Sequence, residues 1–187
     1  MEKTTLYMFT DGSSSPKTKE GGWAFCTTMD VKAKETLHTD FGWKPATTNN
    51  RMELTAVINA LHYAYFNYEH IRKILVYSDS EYVSNPLYFG LLNEWRSKNY
   101  KKETHTYKNG SKVGTEITEV KNADLWEELY QVLKKYKFRK IEVDVLWVKG
   151  HNGSHYNEVC DKLAKLGRER KATNHKYEEK AIKANRV

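Results

Sequence analysis

The hydrophobic period changes near residue 50, and that change constrains the fold more than any other feature. Before it, "TTLYMFTDGS", "GGWAFCTTMD" and "KETLHTDFGW" are rich in β-type residues and joined by short connections, so they read as an antiparallel meander, the first strand ending in a turn at Asp11 and Gly12. After it, Leu54, Val57, Ile58, Leu61 and Tyr65 recur at helical spacing between Asn50 and about Phe66, and "KILVYSDS" follows as a short apolar strand. A long helix between two strands is a crossover, which sets the fourth strand parallel to the first.

"SEYVSNPLYFGLLNEWRSKNYKK" reads as helical in part, broken near Asn85-Pro86, and between Glu103 and Asn122 an Asn109-Gly110 turn predicts an exposed hairpin. "NADLWEELYQVLKKY" is an amphipathic helix, "KIEVDVLWVKGH" a strand and "NEVCDKLAKLGRERK" a last helix. The expected fold is therefore α/β, a mixed five-stranded sheet of three antiparallel strands followed by two parallel ones, flanked by helices. Residues 1–170 form one domain in this reading and residues 171–187 a basic C-terminal tail.

Charge is unevenly placed. The net +7 divides into +4 between Asn93 and Lys112, +6 between Lys162 and Val187, and −3 over the remainder. Such basic patches serve either as solvated faces or as a footprint for a polyanion. Cys26 and Cys160 lie far apart without CxxC spacing, and "MEKTTLYMF" shows neither a signal segment nor a membrane span; the expectation is a soluble, cytoplasmic protein in a reducing setting, with no membrane partner.

Four carboxylates stand at the ends of core elements: Asp11 after the first strand, Asp79 after the fourth, Glu53 on the crossover helix and Asp161 on the last helix. Each has an ordinary explanation. Asp11-Gly12 is a turn dipeptide, Asp79 can cap a helix, Glu53 can complete a capping box with Asn50 as N-cap, and Asp161 can be a first-turn acid. Together they demand more, because acids converging without basic partners repel one another by on the order of several kcal/mol in a low-dielectric site. A divalent cation relieves that repulsion, and all-oxygen ligation suits Mg²⁺ or Mn²⁺ rather than Zn²⁺. Two such ions about 4 Å apart are suited to phosphodiester cleavage. His151, in a Gly-flanked loop ten residues before Asp161, is either solvated surface or a proton shuttle.

Taken in order, Asp11-Gly12-Ser13, "TTNNRMEL", "SDSEYV" and "VKGHNGSHYNEVCDKLA" resemble type 1 ribonuclease H, the bacterial ribonuclease HI branch, over Leu6 to Arg170. The resemblance implies an endonuclease that hydrolyses the RNA strand of RNA/DNA hybrids by two-metal-ion catalysis, giving 5′-phosphate and 3′-hydroxyl ends, and acting as a monomer. It implies that Asp11, Glu53, Asp79 and Asp161 bind two Mg²⁺ ions, or Mn²⁺ as the alternative, and that His151 assists catalysis. It further implies substrate contacts from Gly12, Ser13 and Ser14 after the first strand and from Thr48, Asn49 and Asn50. Amides meet the ribose 2′-OH with both donors and acceptors. "NEWRSKNYKK" matches a basic protrusion in which Arg96, Lys98, Lys101 and Lys102 contact phosphates, while Trp95 and Tyr100 either stack on the substrate or pack the protrusion. Lys17 and Glu81 depart from the family's common Asn and Gln, and the Glu103 to Asn122 insertion and the tail have no role assigned by the resemblance. A non-cleaving hybrid binder and a DNA-directed nuclease are the competing readings.

Overall fold

Alternation carries the first strand past its Asp-Gly pair. In the computed structural model, which describes residues 4–150, 154–171 and 173, β1 runs Thr5–Ser14 without turning at Asp11 and Gly12. β2 (Gly21–Thr28) and β3 (His38–Lys44) complete the meander. α1 (Asn49–Asn67) then crosses to β4 (Lys73–Ser78). α2 (Glu81–Tyr88), α3 (Leu91–Ser97), the hairpin of β5 (Lys101–Lys108) and β6 (Ser111–Glu119), and α4 (Ala123–Phe138) lead to β7 (Glu142–Trp147) and α5 (His155–Arg170). The main sheet has the order β3-β2-β1-β4-β7. β1, β2 and β3 are antiparallel, whereas β4 and β7 add in parallel. This is the mixed five-stranded sheet that the sequence pattern predicts.

The two-residue period of β1 divides the interior into two cores. Leu6 and Met8 face the larger one with Trp23, Phe25, Ile74 and Val76, against α1 and the buried Trp126 and Leu129 of α4. Phe9, Ala24 and Cys26 face the other, against Tyr156, Cys160 and Ala164 of α5. Cys26 and Cys160, remote in sequence, meet there as free thiols with their Sγ atoms 3.5 Å apart. α1 is buried at every position from Met52 to Ile58, because the sheet covers one side and α4 another. The Tyr136 hydroxyl locks that contact by donating to the Leu61 carbonyl at 2.5 Å.

Two local expectations are corrected. The break after β4 does not fall at Asn85-Pro86, since Pro86 lies inside α2; it falls at Gly90, whose left-handed φ of 70° few other residues adopt readily. Nor is Gly12 a turn residue. It faces the Met52–Glu53 peptide of α1, and a Cβ there would lie 2.6 Å from the Met52 carbonyl carbon and 2.9 Å from the Glu53 Cα. Glycine at this position lets the helix rest directly on the strand. The predicted hairpin does form, with Asn109 and Gly110 at φ 50° and 79°, as a two-residue primed turn requires. Most of the predicted tail lies outside the described residues, and among the described residues no helix is long and apolar enough to cross a membrane.

Gly12→Ala must push α1 away from β1 and should cost about 1–3 kcal/mol of stability. Gly114→Ala, where a Cβ would meet only the Thr106 Cβ at 3.9 Å, should stay within about 0.5 kcal/mol of wild type. Urea unfolding of the two variants checks the contrast.

Candidate active site

The start of α1 decides what Glu53 is for. Thr48, not Asn50, is the N-cap, with extended φ and ψ and its hydroxyl oxygen accepting from the Arg51 N–H at 3.4 Å. Arg51 thus occupies the position three residues after the cap, and Glu53 sits in the second turn, beyond the free N–H groups that a capping box satisfies. The residue is instead 4% exposed, with Oε1 accepting from Asn49 Nδ2 at 3.3 Å and Oε2 buried without a hydrogen-bond partner among the described residues.

Glu53 meets Asp11 of β1 and Asp79, which follows the last residue of β4. One ligand oxygen from each lies within 4.8 Å of the others, so the three form a group that can hold a metal ion. Hydrogen bonds to the chain also hold Asp11 and the Asp79 segment. The Gly12 N–H donates to Asp11 Oδ1 at 2.8 Å. Trp147 Nε1 donates to the Asp79 carbonyl at 3.0 Å, and the Val148 N–H to the Ser78 carbonyl at 3.0 Å. Gly150 packs against Asp79, where a Cβ would come 3.3 Å from the Asp79 Cβ. The chain therefore enters the 151–153 segment at the carboxylate cluster; His151 itself lies outside the described residues.

Asp161 is not one of the close three. It lines the same cleft of about 340 Å³, together with Asn49, Ser80, Asn157 and Glu158, and its Oδ2 is held by Lys165 Nζ at 2.7 Å, one helical turn on. Its charge still reaches Asp11. Burial, then Asp79, then Asp161 push the Asp11 carboxyl up to about 7, against smaller opposing effects of the Gly12 N–H and Lys165. Burial, then Asp11, then Asp79 raise Glu53 well above the usual carboxylate range. A site that resists its own ionisation in this way has a place for positive charge.

The remaining predicted residues divide by what already engages them. Ser13 is buried and accepts from Arg168 at 2.8 Å, while the Ser14 N–H donates to Asn49 Oδ1 at 3.2 Å. Asn49 therefore bridges β1 to Glu53. Thr48, Asn49 and Asn50 line a second cleft with Lys121 and Asn122, two residues that sequence reasoning missed. Their only signal was the "KNADLW" start of α4; the contact was invisible because it depends on Arg51 bonding Asn122 and Asp124 across α1 and α4. Asn157 and Glu158 were missed as well, although they lie one turn before Asp161 on α5. In the protrusion, Trp95 packs edge-on against Trp126 at 5.3 Å, and the Tyr100 hydroxyl donates to Glu127 at 2.7 Å, so both aromatics have packing partners. Arg96 and Lys98 pair with Glu127 and Glu94, and Lys101 and Lys102 are exposed. Lys17 is exposed in the β1–β2 connection, and Glu81 opens α2.

The mixed-sheet fold recurs among solved structures. The fold matches LC9-RNase H1, a type 1 RNase H with the type 2 active-site motif, with a TM-score of 0.68 at 22% identity, covering 97% of this chain and 82% of that one. It matches LC11-RNase H1 in complex with RNA/DNA hybrid with a TM-score of 0.60 at 20% identity, covering 88% and 97%. In sequence, the RNase H family model matches residues 3–169. The ribonuclease H of Acetivibrio thermocellus is 39% identical over 164 residues, covering 88% of this chain and 93% of that protein. That of Thermoanaerobacter pseudethanolicus is 36% identical over 157 residues, covering 84% and 85%. The chain belongs to the ribonuclease H family and is a ribonuclease H enzyme.

The raised Asp11 carboxyl has a consequence for stability in metal-free buffer. Its folded-state value of about 7 lies above the ordinary 3.8, so the folded form binds the proton more tightly, and stability falls as pH rises from about 4 through 7. Asp11→Asn should therefore melt several degrees higher than wild type at pH 8 in EDTA, with the gap closing toward pH 4. Added Mg²⁺ should stabilise wild type and narrow the gap at pH 8. Thermal melts across pH check both.

Proposed function

We propose that this enzyme hydrolyses the RNA strand of RNA/DNA hybrids by two-metal-ion catalysis at the Asp11, Glu53, Asp79 and Asp161 cleft, leaving 5′-phosphate and 3′-hydroxyl ends. The observation that carries the reading is the close carboxylate group around the unsatisfied Glu53 Oε2, in a chain of the ribonuclease H family. An oxygen-only donor set with a buried orphan oxygen fits a hard divalent cation. Two Mg²⁺ ions, or Mn²⁺ as the alternative, held by the four carboxylates would supply charge compensation and an activated water for displacement at phosphorus.

The chain's own residues do the rest. Gly12 and Asn49 hold the Asp11 and Glu53 carboxylates in place before substrate arrives, so that little reorganisation is needed at the reacting centre. Thr48 spends its oxygen on the helix cap and keeps its hydroxyl proton free to donate to a phosphate. Asn50 and Lys121, lining the second cleft, offer an amide and a cation to the backbone and sugar edge of the hybrid, while the Asn122 amide is engaged by Arg51 and Tyr82 and holds that wall in place. His151, the residue after Gly150, is assigned the movement of a proton at the leaving group. The protein is placed in the cytoplasm, acting as a monomer through residues 1–170.

Side-by-side assays of hybrid, double-stranded RNA and duplex DNA with Mg²⁺ test this reading. Only the hybrid should be cut, on its RNA strand, and both EDTA and Asp11→Asn should reduce cutting to background; an active Asp11→Asn variant overturns the assigned site. Lys121→Ala should raise KM several-fold and leave kcat close to wild type, since a phosphate contact made equally in ground and transition states affects binding alone.

A further inference from the structure

The β5–β6 hairpin has no place in the reading so far. It is a two-stranded sheet separate from the main one, and nearly all its residues are exposed, including Tyr107 at 63%, Val113 at 58% and Ile117 at 61%. An isolated hairpin is marginal in water. This one is held by its primed turn, by the Thr104–Thr118 hydroxyl pair at 2.8 Å and by the His105–Thr115 contact at 3.2 Å. The chain thus builds a projecting arm of about 26 Å, at roughly 3.3 Å per residue, with little apolar burial in return.

Its charges are segregated along its length. The acids Glu103, Glu116 and Glu119 sit toward the root, whereas Thr104 to Thr115 contains Lys108 and Lys112, His105 and Tyr107 and no acid. The root is continuous with the protrusion: a trough of about 570 Å³ is bounded by Glu94 and Trp95 of α3, by Lys98 just after it, and by Lys101, Lys102, Glu103 and Ile117 of the hairpin, so the root carries both signs of charge. The Val120 N–H also donates to the Tyr100 carbonyl at 2.7 Å, closing the base of the arm. At the tip, exposed Lys108 and Lys112 beside the exposed Tyr107, with no acid between Thr104 and Thr115, are the chemistry that grips a nucleic-acid backbone.

We propose that the hairpin is an accessory arm that extends the protrusion's grip along the hybrid, with Lys108 and Lys112 at its tip neutralising phosphates beyond the reach of α3. The proposal rests on the hybrid-directed reading above and adds a binding surface to it.

The test measures binding of a labelled RNA/DNA hybrid, about two helical turns long, by fluorescence anisotropy in EDTA over a range of salt concentrations. The variant Lys108→Ala/Lys112→Ala should bind about tenfold more weakly near 0.1 M salt. Its slope of log K against log salt should be shallower by about 1.8, at roughly 0.9 counterions released per phosphate neutralised. Lys32→Ala/Lys34→Ala, which removes the same charge from the exposed β2–β3 connection, should keep the wild-type slope. Replacing Glu103–Ile117 by Asn-Gly between the paired Lys102 and Thr118 should reproduce the loss with an unchanged melting temperature. A wild-type slope in the tip variant, or an equal loss in the two double variants, overturns the arm while leaving the hybrid reading intact. A wild-type protein that fails to bind the hybrid overturns both.

Discussion

Everything at the site depends on how closely α1 approaches β1. The missing side chain at Gly12 lets the Met52–Glu53 peptide rest on the strand, and only that approach brings the buried Glu53 carboxylate to the end of β1 beside Asp11. A helix held even one methyl group further out would leave Glu53 in the core, away from Asp79. Strand pairing supplies the second condition. β1 and β4 are parallel neighbours with Thr10 opposite Ser78, so Asp11 and Asp79 come level with each other where β4 ends, although β1 itself runs on to Ser14; ligand sites in open α/β sheets commonly lie at such an edge.

The site this creates is electrostatically unsatisfied by design of the fold. Burial and mutual repulsion raise Asp11 and Glu53, while Lys165 lies against Asp161 at the cleft wall. The backbone donor from Gly12 and the amide of Asn49 fix the oxygens without cancelling their charge. Such a constellation is costly to the folded protein alone and becomes favourable when positive charge arrives, which links stability, metal binding and chemistry through one set of carboxylates.

Much of this was legible in the sequence, and the misses have physical reasons. Period-two and period-3.6 patterns placed the strands and the long helices, and the crossover rule gave the parallel pairing. The Asp11-Gly12 turn reading failed because a dipeptide cannot show whether its glycine serves φ freedom or close approach. The Asn50 cap reading failed because Thr48 and Asn50 are both good caps locally, and the packing of α1 on the sheet chose between them. Asn122 and Lys121 stayed hidden because their partners, Arg51 and Tyr82, lie about seventy and about forty positions away in sequence and meet them only in the folded chain.

By itself, the sequence determined the class of fold and singled out four acids as candidate ligands for a hard divalent ion, because those expectations follow from local periodicity and donor chemistry. The tertiary structure alone decided that Asp11, Glu53 and Asp79 form the close group while Asp161 stands on the cleft wall with Lys165. It also decided that Trp95 and Tyr100 are anchored by packing, and that two distant thiols touch behind the site. Distances of a few ångströms between segments remote in the chain are set by how helices seat on a sheet, and no local pattern encodes that seating.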